Sequence, residues 1–439
     1  MVKVVKFGGS SLASAEQFKK VGAIIRADET RRFVVPSAPG KRNAKDTKVT
    51  DMLYECYGIA EEGKEFAGKL GKIRDRYDSI IKGLDLTLSL DEEFQTITKN
   101  FKNKAGTDYA ASRGEYLNGM IMAAYLGYEF IDAAEVIRFD NDGNFLADET
   151  NQILAARLEH SESAVIPGFY GAKEDGTVHT FSRGGSDITG SIVARAVHAS
   201  IYENWTDVSG FLVSDPRIID NPAVIHTITY KELRELSYMG AGVLHEDAIF
   251  PVRKEGIPIN IKNTNAPEDP GTMIVESTCH QPEYTITGIA GLRDFVAVNV
   301  DKDMMNSEVG FCRKVLQAFE DNNISIEHMP SGIDTMTVFV QRHDFEGKEQ
   351  QVISSIRRLT HPDVIELEAD LALIAVVGRG MKSTRGTAGR IFSALAHANI
   401  NVKMIDQGSS ELNIIIGVSN DDFEEAIKAI YDIFVETRL

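Results

Sequence analysis

The sequence predicts an α/β protein in two parts: a three-layer domain on an open, mainly parallel sheet over residues 1–275, then two small βαββαβ units. Two observations carry that prediction. Short apolar strands, glycine-rich loops and helical segments alternate from the first residues to about 275, the order that builds a parallel sheet with helices on its faces. Beyond that point the sequence repeats itself. Gly310, Ala318, Asn323-Ile324 and Gly332 recur 76 positions later as Gly386, Ala394, Asn399-Ile400 and Gly408. A unit of about 70 residues gains stability by pairing with a copy of itself.

The elements follow in order. Residues 2–7 (VKVVKF) read as a buried strand broken at Gly8-Gly9-Ser10-Ser11, with a helix over about 15–28. Residues 32–36 form a second strand ending at Ser37-Ala38-Pro39-Gly40. Polar helical segments cover about 50–82 and 91–126, and 164–168 and 201–205 read as further strands. Ligands in such folds sit at the carboxyl ends of the strands, so the loops at 8–11, 37–40, 168–171 and 206–210 are the first places to search. Residues 265–283, with Pro267, Pro270 and Pro282, read as a linker. Each repeat then reads helix, strand (ISIEHM; INVKMI), glycine turn, strand (TMTVFV; ELNIIIGV) and a second helix, at about 346–358 and 421–434. The units are expected at 285–368 and 369–439. Only VETRL follows the last helix, so the second unit lacks a final strand unless the two interleave.

Composition narrows the class. Hydrophobic residues make up 43% and charged residues 26%, ordinary for a globular protein, and the net charge of −18 argues against a nucleic-acid surface or a polybasic membrane anchor. Three dispersed cysteines, Cys56, Cys279 and Cys312, form no CxxC pair, and no membrane-length apolar run or signal layout is present. A cytoplasmic protein is expected.

Four clusters carry chemistry. In Lys6-Phe7-Gly8-Gly9-Ser10-Ser11 a lysine ends a strand, and two glycines let backbone N–H groups approach an anion at a following helix start. Phosphoryl transfer needs that combination of fixed positive charge and donors. The segment is not a GxxxxGK[ST] loop, and a plain tight turn would use the same glycines. In Phe181-Ser182-Arg183-Gly184-Gly185-Ser186-Asp187 the arginine can grip a carboxylate and the aspartate can orient a lysine; a helix cap beside an exposed arginine is the bland alternative. Trp205-Thr206-Asp207-Val208-Ser209-Gly210, with Ser214-Asp215-Pro216-Arg217, offers a polar turn for a nucleotide base and an arginine for a phosphate, or merely turns. Ser112-Arg113-Gly114-Glu115 puts a carboxylate at the start of an apolar helix, where the helix dipole alone would favour it.

In this order the clusters resemble the aspartate kinases of the amino-acid-kinase family. KFGGSS, SRGE, FSRGGSD, WTDVSGFLVSDPR, GAGVLH and the two repeats together span nearly the whole chain. FSRGGSD with WTDV is the most specific element, and the repeats resemble the tandem ACT units such kinases carry. The resemblance implies that Lys6 contacts the transferring phosphoryl, that Gly8, Gly9 and Ser10 cradle phosphates and that Asp187 holds Lys6. Arg183 and Glu115 would bind the α-carboxylate and α-amino group of aspartate, aided by Ser37, Thr50 and Ser186. Thr206, Asp207, Leu212, Asp215 and Arg217 would surround ATP. Gly242 stands where many members have a nucleotide-contacting lysine, so backbone atoms of Gly242 and Val243 would serve instead; Leu212 stands where some have tyrosine. The implied reaction forms the β-acyl phosphate of aspartate. The substrate carboxylate is already ionised, so no general base is needed. Mg²⁺ would arrive with ATP, since no dedicated metal cage is visible.

The resemblance of the repeats to ACT units implies regulation by a bound amino acid. The loop Met304 to Phe311 would face the strand beginning Ser325-Ile326-Glu327 of a partner unit, so Met305, Glu308, Val309, Gly310, Phe311, Ser325, Ile326 and Glu327 are the expected effector residues. Donors at the helix start suit an effector carboxylate, and Glu308 or Glu327 suits a cationic side chain, which favours lysine, with threonine or a lysine–threonine pair as the alternative. An effector pocket shared between chains implies a homodimer or a dimer of dimers. A kinase for another substrate and a catalytically inactive amino-acid sensor remain as rivals; a fused dehydrogenase is not expected, because the chain ends soon after the second repeat.

Overall fold

The structure, a computed structural model, describes residues 1–182, 184–242, 244, 250–278 and 283–437. The chain divides into two compact units. The first comprises residues 1–211, 224–230 and 243–278; the second comprises 212–223, 231–242 and 279–439. Two segments that precede residue 275 therefore belong structurally to the second unit.

The first unit runs β1 (Lys3–Phe7), α1 (Ala15–Arg26), β2 (Arg31–Pro36), then four helices, α2 (Val49–Glu61), α3 (Ala67–Gly83), α4 (Asp91–Lys102) and α5 (Thr107–Leu126). It continues with β3 (Glu129–Phe130), α6 (Ala133–Val136), β4 (Arg138–Phe139), α7 (Ala147–Leu158), β5 (Ala164–Val165), β6 (Tyr170–Lys173), β7 (Val178–Thr180), α8 (Gly185–Ala196) and β8 (Ile201–Thr206). The strands β9 (Phe211–Leu212) and β10 (Val224–Ile225) flank the first excursion into the second unit, and β11 (Thr227–Thr229) and α9 (Tyr230–Tyr238) lead into the next. α10 (Phe250–Lys254), β12 (Ile259–Asn263) and β13 (Thr272–Val275) complete it.

Eight strands form one sheet in the order β11-β13-β12-β8-β1-β2-β5-β3, parallel except between β12 and β13. Val4, Val5, Phe7, Val34 and Val35 on the central strands are buried to 2% exposure or less, which explains why apolar residues follow one another there, interrupted in β1 by Lys6: a strand covered on both faces has no solvent side to mark with polar residues. β13 corrects the linker reading of 265–283. Thr272–Val275 is a sheet strand, and the prolines around it only bound it. The helix read over 91–126 is two helices. α4 opens on Asp91, Glu92 and Glu93 and closes on Lys99 and Lys102, charges that suit its dipole, and α5 starts separately at Thr107.

In the second unit β14 (Gly288–Asp301), α11 (Phe311–Glu320), β15 (Thr335–Gln341), α12 (Arg342–Phe345), α13 (Glu349–Thr360), β16 (Val364–Val377), α14 (Thr387–His397), β17 (Met404–Asp406), β18 (Asn413–Ser419) and α15 (Phe423–Tyr431) build an antiparallel sheet, β15-β14-β16-β18-β17. The two 14-residue strands pair with each other along their length, and each takes a second neighbour over only one half. Residues 295–301 of β14 pair with β15 and with the first half of β16, while 288–292 pair with 373–377 of β16, whose other edge holds β18. The turn in each strand lies at an aspartate of left-handed conformation, Asp294 (φ 67°) and Asp370 (φ 60°), themselves 76 positions apart. Gly310 and Gly386, and Asn323 and Asn399, are likewise left-handed in both copies. The repeat is thus a repeat of backbone geometry, with residue types that tolerate positive φ. Of the strand expected at 324–329 one isolated bridge remains, His328 to Phe339.

Candidate active site

Parallel register sets the centre of the site. β1 lies between β2 and β8, and Lys6 is level with Val35 on one side and Asn204 on the other. Neighbouring residues at one register level point to the same face. The Lys6 ammonium, 7% exposed, meets Asp187 Oδ1 at 2.5 Å and donates to Asn204 Oδ1 at 3.3 Å; Asn204 Nδ2 in turn donates to Asp187 Oδ1 at 2.9 Å. Asp187 reaches this position from the first turn of α8, whose N-cap is Gly184 with φ 71°. Its carboxylate is engaged by the lysine and not spent on capping. Asn204, which the sequence reading did not single out, closes the triangle.

The glycines after β1 act by close approach. The Gly8 N–H donates to the Trp205 carbonyl (2.9 Å), and the Gly40 N–H donates to the Gly9 carbonyl (2.8 Å). A Cβ on Gly9 would lie 2.8 Å from the Ala38 carbonyl oxygen, and one on Gly40 would lie 2.6 Å from the Gly9 carbonyl carbon. No side chain fits between these two loops. The loop 37–40 is further pinned by Arg76 of α3, which donates to the Gly40 carbonyl (2.5 Å) and pairs with Asp46 at 2.7 Å. The Arg42 and Arg76 guanidiniums hold the Asp46 carboxyl well below the usual range. Nothing in the sequence set Arg76 apart from other surface-spaced helix arginines.

Glu115 is not the first-turn residue expected from the sequence. α5 starts at Thr107, so Glu115 stands in the helix interior, 6% exposed. Gly114 lets this helix press on the loop: a Cβ there would lie 2.9 Å from Ala38 Cβ and 3.7 Å from Thr50 Oγ1. Burial pushes the Glu115 carboxyl up to about 8, even though the Ala38 N–H donates to it, and Oε2 has no hydrogen-bond partner. A buried acceptor left open is a place for a donor to arrive. One turn on, Asn118 is fully buried and donates through Nδ2 to the Ser37 carbonyl at 2.6 Å. Ser186, at the start of α8, packs on Gly168: a Cβ on that glycine would lie 2.6 Å from Ser186 Oγ.

Lys6, Gly8, Gly9, Ser10, Ser37, Thr50, Glu115, Ser186 and Asp187 therefore sit on the loops and helix turns around the carboxyl ends of β1 and β2. Thr206 and Asp207 follow at the end of β8, where Thr206 Oγ1 donates to Asp207 at 3.2 Å. Leu212, Asp215, Arg217 and Gly242 belong to the second unit. There Arg217 is largely exposed and forks onto Asp215 (2.5 Å). Arg183 and Val243 lie outside the described residues. Among the described residues no group of three or more His, Cys, Asp or Glu side chains is arranged to hold a metal ion, and no helix is long and apolar enough to cross a membrane.

In the effector segment Met305 is buried and Val309 98% exposed, and Gly310 caps α11, which begins at Phe311. Glu308 is held by Lys314 (2.8 Å) and Lys302 (3.4 Å), which draw its carboxyl below the usual range. Glu327 accepts a hydrogen bond from Tyr238 (2.5 Å), while Ser325 and Ile326 precede it in the segment before β15.

A lysine and an aspartate thus face each other at the end of a parallel sheet in an α/β fold, among glycine loops too tight for side chains. The amino acid kinase family model matches residues 1–263 and an ACT domain model matches 374–434, so the chain belongs to the amino-acid-kinase family. Within that family the chain is an aspartate kinase: it is 40% identical to aspartokinase 3 of Bacillus subtilis over 99% of this chain and 98% of that protein. The aspartate kinase of Clostridium acetobutylicum superposes with a TM-score of 0.90 at 51% identity, covering 99% of both chains. Escherichia coli aspartokinase III, solved with lysine and aspartate in its T-state, superposes at 0.73 with 25% identity over 99% of both.

Proposed function

We propose that the chain transfers the γ-phosphoryl of ATP to the side-chain carboxylate of L-aspartate, yielding 4-phospho-L-aspartate, and that an amino acid, lysine first among the candidates, regulates it. The observation that carries the chemical part is the Lys6–Asp187–Asn204 triangle beside the glycine loops. Lys6 supplies positive charge where negative charge builds on the phosphoryl oxygens, and Asp187 and Asn204 fix its direction before substrate arrives. Gly9 and Ser10 offer backbone donors to the phosphates, and Gly8, whose N–H is held by the Trp205 carbonyl, lets the loop pass close to them. Mg²⁺ enters as part of the nucleotide substrate, which requires few protein carboxylates.

On this reading Glu115 takes the α-ammonium of aspartate, its open Oε2 matching a donor that the protein does not supply. Ser37, Thr50 and Ser186 line the same loops, and Arg183 grips the α-carboxylate. The nucleotide is assigned, by motif position, to Thr206, Asp207, Leu212, Asp215, Arg217 and the backbone at Gly242 and Val243. The test is aspartate-dependent ADP release: Arg183→Ala should raise the aspartate requirement far more than the ATP requirement, and equal effects would contradict the assignment.

The regulatory part rests on the loop 304–311 and the segment 325–327, in a homodimer or dimer of dimers of a cytoplasmic enzyme. Glu308 already has two lysine partners, so Glu327 is the better candidate for a cationic effector side chain. The E. coli enzyme solved with lysine supports that class of effector. Lysine titrated against wild type and Glu327→Ala at subsaturating aspartate tests it; equal inhibition removes Glu327 from the site, and none in either removes lysine as the sole effector.

A further inference from the structure

We infer that Asn118 is a specificity-determining residue whose Oδ1 meets the ammonium group of the amino-acid substrate beside Glu115, an inference that rests on the aspartate-kinase reading above. Asn118 is fully buried on α5, and its Oδ1 has no hydrogen-bond partner. The orientation of the amide is not free. Nδ2 donates to the Ser37 carbonyl at 2.6 Å, and the flipped amide would set two acceptor oxygens at that distance. The open atom is therefore an acceptor.

Glu115 Oε2 is open in the same way. Residues 115 and 118 are three apart on one helix, so their side chains rise from the same face. They hold neighbouring residues of one loop, Asn118 through the Ser37 carbonyl and Glu115 through the Ala38 N–H. Once Glu115 gives up its proton as the cation arrives, two buried acceptors remain, and together they call for a ligand bearing several N–H groups and positive charge. A primary ammonium has three such hydrogens. An amino-acid substrate whose carboxylate end faces Lys6 brings one, whereas the same dicarboxylate without its amino group brings none.

Ammonium recognition is separated from simple loop support by comparing aspartate with succinate, which is aspartate lacking the amino group. The KM for aspartate and the inhibition constant of succinate against aspartate are measured for wild type and Asn118→Ala. Loss of a hydrogen bond to a charged group predicts a rise of about 10- to 100-fold in the aspartate KM, with the succinate constant and the ATP KM unmoved. Asn118→Leu, which fills the volume, carries the same expectation should the alanine variant fail to fold. An equal rise for aspartate and succinate would reduce Asn118 to a support for Ser37. No change in either would mean that an internal water satisfies Oδ1. Both results overturn the inference while leaving the kinase reading standing, whereas a wild-type protein without aspartate-dependent ADP release overturns both.

Discussion

Lys6 Nζ and Asp187 Oδ1 lie 2.5 Å apart, one at the end of β1 and the other in the first turn of α8, 181 residues later in the chain. Lys6→Ala removes the positive charge but no core packing. Turnover should fall by roughly 10²–10³, the cost of one transition-state electrostatic contact, with an unchanged circular dichroism spectrum. A folded variant keeping more than about a tenth of the rate would place Lys6 away from the phosphoryl.

Asn204 acts on the reaction only through Lys6 and Asp187. Asn204→Leu should lower kcat by about tenfold, the worth of a hydrogen bond to a charged group at the low end of its range, while the aspartate KM stays within twofold of wild type. Asn204→Gln should recover part of the loss. Parallel changes in both KM values would instead indicate a distorted sheet.

Glu115 gives a pH signature. Its folded pKa of about 8 lies above the ordinary carboxyl value, so at pH 7 the free enzyme holds this proton. A substrate ammonium favours the carboxylate, and aspartate binding at pH 7 should release close to one proton. Calorimetry in buffers of differing ionisation heat measures that number, and Glu115→Gln should abolish it. The linkage to stability has the same origin. A raised pKa stabilises the fold below the unfolded value near 4.5, and that contribution is lost as pH rises through 8. Glu115→Gln should therefore gain on wild type as pH rises across this window in ligand-free thermal melts.

In the second unit Glu232 is fully buried, accepting from Thr287 Oγ1 (2.6 Å) and pairing with Arg379 at 3.0 Å. Arg379→Ala takes a cation from a buried carboxylate and should cost about 3 kcal/mol, seen as an earlier urea transition. Glu232 lies in 231–242, a segment the sequence assigned to the catalytic part. A variant unfolding like wild type would detach that segment from the regulatory fold.

Much of this site was legible because its parts are short contiguous motifs. Lys6 with Gly8 and Gly9, Asp187 after Gly184-Gly185, and Glu115 after Gly114 each combine a charged residue with a glycine that a packed loop requires. Asn118, Asn204 and Arg76 were not legible. Each is an ordinary residue in a helix or strand whose role depends on a distant backbone carbonyl or register partner. The division of the chain was hidden for a similar reason: 212–223 and 231–242 carry no compositional break, and their allegiance shows only in contacts such as Val213 with Ile289 and Glu232 with Arg379. The 76-residue repeat was visible, but the shared left-handed turn at Asp294 and Asp370 was not, since aspartate on a strand reads only as a polar interruption.

The long pairing of β14 with β16 bears on how the protein is made. Residues 288–292 are synthesised ahead of nearly all of the first repeat, yet their pairing partner, 373–377, emerges only after it. At roughly 5–20 residues per second on the ribosome, that edge waits several seconds with its backbone donors and acceptors open. The second repeat draws one strand from outside its own stretch of nascent chain, so its sheet closes only late in translation. A stalled or truncated chain ending within the first repeat would display an unpaired apolar strand, and this is the stage at which a chaperone would find the most to hold.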